Sequence, residues 1–191
     1  MLSVITQSPQ NEPVSVTEVR TDLRLDDSED LLLASLITSA RMIIEANTGS
    51  RLITQKWDVM FDHWPTDAQK PLKLPHWPVQ EVEGVYLLGG SERTQINSNL
   101  YETVEKARIP QLILKSGQAW PTPKRTSLGI LVSLKVGFGD AATDVPEPLR
   151  QAIRQLVSFW YEQGEWHGSN YTAKMPEIVN TLMSPYRNIH L

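Results

Sequence analysis

The chain has 191 residues, of which 40% are hydrophobic and 21% charged, and a net charge of −4. That is a globular composition sized for one domain or a domain with an insert, and the slight acid excess implies no broad basic surface for gripping nucleic acid. With no cysteine in the sequence, disulfides, thiol catalysis and cysteine-ligated zinc are excluded.

Residues Met1–Pro13 are polar, end in proline and read as an arm or loose lead-in. Their start, MLSVITQSPQ, lacks the basic region and long apolar run of a signal peptide, and no window of the chain reaches transmembrane length. Val14–Leu25 reads as a short helix, with Ser15 or Thr17 as N-cap ahead of Glu18 and Val16, Val19 and Leu23 on one face. Asp26 and Asp27 open a longer helix, Asp27–Thr48, with Glu29 and Asp30 at its positive end. Leu33, Leu36, Ile37, Ala40, Ile44 and Asn47 run down one side, Leu32, Ser39, Ile43 and Ala46 lie beside them, and Gly49 stops the helix. The carboxylates at its head read as caps, since no further ligand is spaced to make them a metal site.

From Leu52 the period falls to two: Ile53, Trp57, Val59 and Phe61 face one way, and Thr54, Lys56, Asp58 and Asp62 the other. Two prolines in Leu72–Val79 forbid a helix or central strand, so this is an extended edge or corner. Val82–Leu88, Leu100–Val104 and Leu112–Leu114 are strand candidates, Gly89-Gly90-Ser91 is turn chemistry, and Trp120–Pro123 is a rigid loop. Gly129–Phe138 alternates Ile130, Val132, Leu134, Val136 and Phe138 with Ser133, Lys135 and Gly137. The stretch Asp144–Gly164 is a helix with both ends written in: Pro146, Glu147 and Pro148 suit the first turn and Gly164 the C-terminal cap. Leu149, Ala152, Ile153, Leu156 and Trp160 share its apolar face, a natural partner for the helix ending at Thr48. Glu165–Ala173 is turn-like; Pro176 opens a short helix carrying Ile178, Val179, Leu182 and Met183, and Pro185 stops it.

Helices, then strands, then a helix predict an α+β fold: a helical base from the two ends with a small antiparallel β unit inserted and an extended C-terminal tail. The expected boundaries are an arm at 1–13, a domain at 14–166 with helices 14–49 and 144–164 around a β insert at 50–143, and a tail at 167–191.

The chemistry-bearing residues do not assemble into a site. His63, His76, His167 and His190 include no pair at metal-binding spacing. Adjacent Asp62 and His63 point to opposite faces of a strand. No serine lies in a nucleophile elbow, and Gly137-Phe138-Gly139 lacks the third glycine and the prompt helix of a dinucleotide turn. Lys124 and Arg125 beside Trp120 form a small basic–aromatic cluster suited to a partner contact, and Trp64, His76 and Trp77 are further interface-loop candidates.

An ordered set of landmarks then stands out. It runs Pro13-Val14-Ser15-Val16; Asp30-Leu31-Leu32, Ala40-Arg41 and Ile44-Glu45; Thr48-Gly49-Ser50-Arg51-Leu52; Leu74-Pro75 and Pro78-Val79; Tyr101; Trp120-Pro121; Val136-Gly137-Phe138-Gly139; and Val145-Pro146-Glu147-Pro148-Leu149 with Ala152-Ile153. From about Pro13 to Trp166 the chain resembles the tailed-phage head–tail connector or adaptor proteins, including the adaptors of phage-like gene transfer agents. It departs from their pattern at Gly89-Gly90-Ser91, where an Asp/Asn-Gly turn is common, and at Gln163-Gly164-Glu165, where an Arg-Glu pair is common. The resemblance implies a structural virion protein at the head–tail junction, made in the host bacterial cytoplasm. Its expected form is a homo-oligomeric ring, often of twelve, beneath the portal protein, joining it to a stopper or tail protein around passing double-stranded DNA. It implies no catalysis, cofactor, metal, membrane or sequence-specific DNA contact. With it goes the expectation that Ile178, Val179, Leu182, Met183, Tyr186 and Arg187 dock on the portal or a neighbouring subunit, because their apolar face has no partner in the sequence. The rival readings are a stopper or tail-completion protein, a hydrolase using Asp62, His63 or His76, and a carbohydrate- or nucleic-acid-binding β module using Trp64, Trp77 and Trp120.

Overall fold

The structure, a computed structural model, describes residues 1–67, 70–89, 92–163 and 175–187. The chain is α+β and divides into two compact units: Met1–Pro9 with Thr54–Gly137, and Gln10–Ile53 with Phe138–Leu191.

In the helical unit, α1 (Val16–Leu23) begins at a capping box. The Ser15 hydroxyl accepts from the Glu18 N–H, and the Glu18 carboxylate accepts from the Ser15 N–H at 2.7 Å. Burial alone would raise the Glu18 carboxyl; the Ser15 bonds and the charges of Arg150 and Arg154 hold it below its usual range. Asp26 caps a single 3₁₀ turn, Asp27–Glu29, and α2 (Asp30–Thr48) follows, so the α-helix starts three residues later than its acidic head predicts. Gly49 ends it at φ 71°, the left-handed conformation that a side chain would oppose. Next come α3 (Glu147–Gln163) and α4 (Glu177–Met183), with a 3₁₀ turn running on through Pro185 to Tyr186. The predicted cap at Gly164 and the turn at 165–173 lie outside the described residues. Leu33, Ile37, Ala40, Ile44, Leu149, Ile153 and Leu156 form one core with Val14, Val19 and Leu52, so helices from both ends of the chain close on each other. The chain leaves this unit after Ile53 and re-enters at Phe138; the two points run side by side, joined by the Phe138 N–H to Leu52 oxygen bond and the Ile53–Gly139 bridge.

In the β unit, a five-stranded sheet has the order β1-β2-β8-β4-β5, and a three-stranded sheet the order β3-β7-β6, all antiparallel. The strands are β1 (Leu2–Gln7), β2 (Gln55–Phe61), β3 (Leu72–Lys73), β4 (Val79–Gly89), β5 (Glu92–Gln95), β6 (Tyr101–Val104), β7 (Gln111–Leu114) and β8 (Ile130–Val136). Central β8 places Val132 opposite Val59 of β2 and Val85 of β4, and those side chains with Ile130, Leu134 and Val136 make the core. Gly84 sits at a register shift in β4 where an added Cβ would lie 2.5 Å from the Tyr86 hydroxyl.

The lead-in at residues 1–13 is not loose throughout. Leu2–Gln7 pairs with β2, Leu2 opposite Met60 and Ile5 opposite Trp57, and so belongs to the sheet. Its run of Leu, Val, Ile and Thr favours extended backbone, and the pairing that realises this comes from a strand some fifty residues away.

Candidate interaction surfaces

Several of the landmark residues prove to be interior framework of the helical unit. Glu45, buried near the end of α2, accepts the Leu52 N–H at 2.9 Å and faces Arg41 at 3.4 Å and Arg51 at 3.9 Å. Arg41 also donates to Glu12 at 2.7 Å, and the Thr48 and Ser50 hydroxyls bond across the Gly49 turn at 2.6 Å. This network pins the chain as it leaves α2. Burial lowers the Arg51 pKa, with Glu45 opposing that shift. A second set straps α1 to α3: Arg154 grips Asp22 through bonds of 2.7 and 2.9 Å, and Arg150 reaches Glu18 at 2.6 Å and the Pro13 carbonyl at 2.9 Å.

The aromatic loop candidates are largely internal. Trp64 is buried, donates to the Pro121 carbonyl at 2.9 Å and stacks on Trp120 at 4.1 Å between centroids; Tyr101 lies 6.1 Å beyond. His76 is buried 4.5 Å from the Trp57 ring. Trp64 and His76 are therefore core residues of the β unit, because the proline-bounded loops that carry them fold back onto its sheets. Trp77 is half-buried, and of that group Lys124 and Arg125 are exposed. Asp62 does not address His63; its carboxylate accepts from the Leu128 N–H at 2.9 Å and the Ser127 hydroxyl at 3.0 Å. Among the described residues no three His, Asp or Glu side chains group to hold a metal ion, and no helix is long and apolar enough to cross a membrane.

The face of α4 thought unpartnered has a partner. Val179 and Met183 are fully buried in the helical core, where α4 packs on α3 and touches α2. They are corrected from docking residues to core residues: at seven residues α4 is too short to stand alone, and burying that face on its own chain holds it. Leu182 and Tyr186 are half-buried against the same core, and Arg187 donates to Asn180 at 2.7 Å. Ile178 points away and is 51% exposed. It borders a groove of about 520 Å³ with Phe159, Arg154, Leu23 and Glu162.

Sequence reasoning missed other exposed apolar positions. On α2, Leu31 is 89% and Met42 59% exposed. They share an uncharged outer face with Ala34, Ser35, Ser39 and Ala46, although the outer face of a surface helix is usually charged. Beside Ala34 and Thr38 runs a mainly apolar groove of about 410 Å³ whose walls include Val14, Val16 and Ile37. Leu31 is visible in the sequence as an apolar residue off the buried stripe. Charge is also divided: the β unit holds ten Lys/Arg against eight Asp/Glu, and the helical unit eight against fourteen. The acid excess therefore belongs to the helical unit alone.

No family profile and no curated protein sequence matches this chain. Solved structures do. The chain is similar to one from the neck of an empty gene transfer agent (GTA) particle computed with C6 symmetry, at TM-score 0.82 and 22% identity, covering 100% of this chain and 97% of that one. A chain from the virion of a native GTA particle gives 0.82 and 23% over the same shares. One from the neck of a native GTA particle computed with C12 symmetry gives 0.76 and 22%, again with 100% and 97% covered. At this identity the likeness establishes the fold.

Proposed function

We propose that this chain is a structural subunit of the neck of a phage-like particle, an adaptor that forms a ring beneath the portal and joins it to the stopper or tail. The observation that supports this is the end-to-end likeness to neck chains, which takes in both units and leaves no part of the chain over. A ring of twelve suits neighbours treated with six-fold and twelve-fold symmetry, since six-fold rotation is contained in twelve-fold. The working parts are then surfaces. On α4 the docking face narrows to Ile178, with Leu182, Tyr186 and Arg187 at its margin, and the exposed Lys124 and Arg125 serve as loop contacts. Double-stranded DNA passes through without sequence-specific contact, and the acid-rich helical unit is the part suited to line its path, because like charge keeps phosphates from sticking.

Adding the purified chain to portal-bearing heads that lack it tests this. Attachment of a ring, counted by electron microscopy, is expected. Ile178→Asp is expected to abolish attachment while changing stability by less than about 0.5 kcal/mol, the scale of surface substitutions. A chain that ignores the portal and joins only heads already carrying another ring is a stopper and overturns the adaptor reading.

A further inference from the structure

We infer that β1 is an assembly edge, and that it pairs with β5 of a second copy of this chain so that the five-stranded sheet continues from subunit to subunit. The inference rests on the ring reading and deepens it. A free strand edge offers unpaired N–H and C=O groups to any passing strand, so proteins blunt such edges with charge, proline or shortness. Among the described strands, both edges of the three-stranded sheet are blunted in these ways: β3 is two residues long between Pro71 and Pro75, and β6 is four residues with Glu102 in it. β5 is short too, but it carries one charge of each sign, Glu92 and Arg93, which repel a charged strand and not an uncharged one. β1 is six residues long and has neither charge nor proline. Its Leu2, Val4 and Ile5 are 46%, 42% and 41% exposed, three of the few large apolar side chains that the described surface shows.

The geometry of the sheet points to the occupant. β1 and β5 are the opposite edges of one sheet. Pairing β1 of one copy with β5 of the next uses each edge once and is head-to-tail, the type of contact that closes rings. Pairing β1 with β1 is two-fold, exhausts the edge and stops at a dimer. The uncharged β1 also sets no like charge against Glu92 or Arg93, where like charges directly opposed across a pair are unfavourable.

The chain has no cysteine, so introduced pairs report contacts without background. Val4→Cys combined in turn with Glu92→Cys, Arg93→Cys, Thr94→Cys and Gln95→Cys places a partner at every residue of β5. The full-length variants are assembled on portal-bearing heads, oxidised and run on non-reducing gels. The expected result is a ladder of several copies from at least one double variant and monomer from each single variant. Val4→Lys, which places a charge on the edge, is expected to abolish the ring with no loss of thermal stability in the free subunit. A dimer from Val4→Cys alone overturns the assignment of β5. Rings that form, visible by microscopy, without cross-linking in any register overturn strand pairing and leave the ring reading standing. Failure of the unmodified chain to form any ring overturns both.

Discussion

Replacing Glu45 tests whether the network at the end of α2 holds the helical unit together. In Glu45→Ala the Leu52 N–H loses its acceptor at 2.9 Å, and an orphaned buried donor costs about 1–3 kcal/mol. Arg51, already disfavoured by burial, loses its carboxylate at 3.9 Å, while Arg41 keeps Glu12 at 2.7 Å. Breaking a buried ion pair costs about 3–5 kcal/mol, and the surviving Arg41–Glu12 contact puts the expected loss near the low end, about 3 kcal/mol. Glu45→Gln keeps an oxygen for Leu52 and gives up only the charge, so about 1–2 kcal/mol is expected. Urea unfolding followed by far-ultraviolet circular dichroism reads the helices directly. At a slope of about 2 kcal/mol per molar, the alanine variant should lower the midpoint by about 1.5 M with the slope unchanged. A loss below about 0.5 kcal/mol refutes the reasoning, because that is the scale of a surface substitution. Equal losses for Gln and Ala refute the part assigned to the backbone acceptor.

Ile153→Ala, at a fully buried position between the terminal helices, should cost about 2–5 kcal/mol in the same assay, and Leu36→Ala less, because Leu36 is 8% exposed. Ser15→Ala removes the capping box of α1 and should cost about 1 kcal/mol in urea unfolding. The Leu128 N–H and Ser127 hydroxyl hold the Asp62 carboxyl below its usual range, so the unfolded chain takes up a proton first, near pH 4. Stability from this group is present above that pH and is lost as pH falls through the lower folded value. The deficit of Asp62→Asn should therefore shrink as unfolding is measured below about pH 4; a deficit that does not change with pH counts against the role given to Asp62.

Local chemistry was legible and tertiary chemistry was not. Ser15, Asp26 and Gly49 act within a turn of themselves, so the start of α1 and the end of α2 could be read from neighbouring residues. The apolar stripes of α2 and α3 were legible for the same reason, since helical spacing fixes which side chains share a face. β5 gives no such signal: Glu92-Arg93-Thr94-Gln95 alternates nothing, is wholly exposed and is a strand only because it folds back on β4. β1 depends likewise on pairing with β2, and Pro9 and Pro13 draw attention away from the β-branched residues before them. Trp64 and His76 sit beside prolines, which rightly mark loops, but whether a loop lies open or folds onto a sheet is decided by distant residues such as Trp57 and Trp120.

The same division bears on function. The landmarks that carry the resemblance include many interior residues: Arg41, Glu45 and Leu52 pin the exit from α2, and Val145, Leu149 and Ile153 fill the core against it. Packing and buried bonds leave such residues few alternatives, and the fold is alike at 22–23% identity. Among the exposed large apolar side chains, Leu2, Val4 and Ile5 on β1, Met42 on α2 and Ile178 on α4 lie outside those landmarks, and Leu31 belongs to both sets. Fold likeness therefore carries over the framework and says little about which partner each surface meets. A charge placed at Val4 and one placed at Ile178 should for that reason separate cleanly: the first should remove the contact between copies, the second the contact with the portal, and both should leave the core described by Ile153 and Glu45 intact.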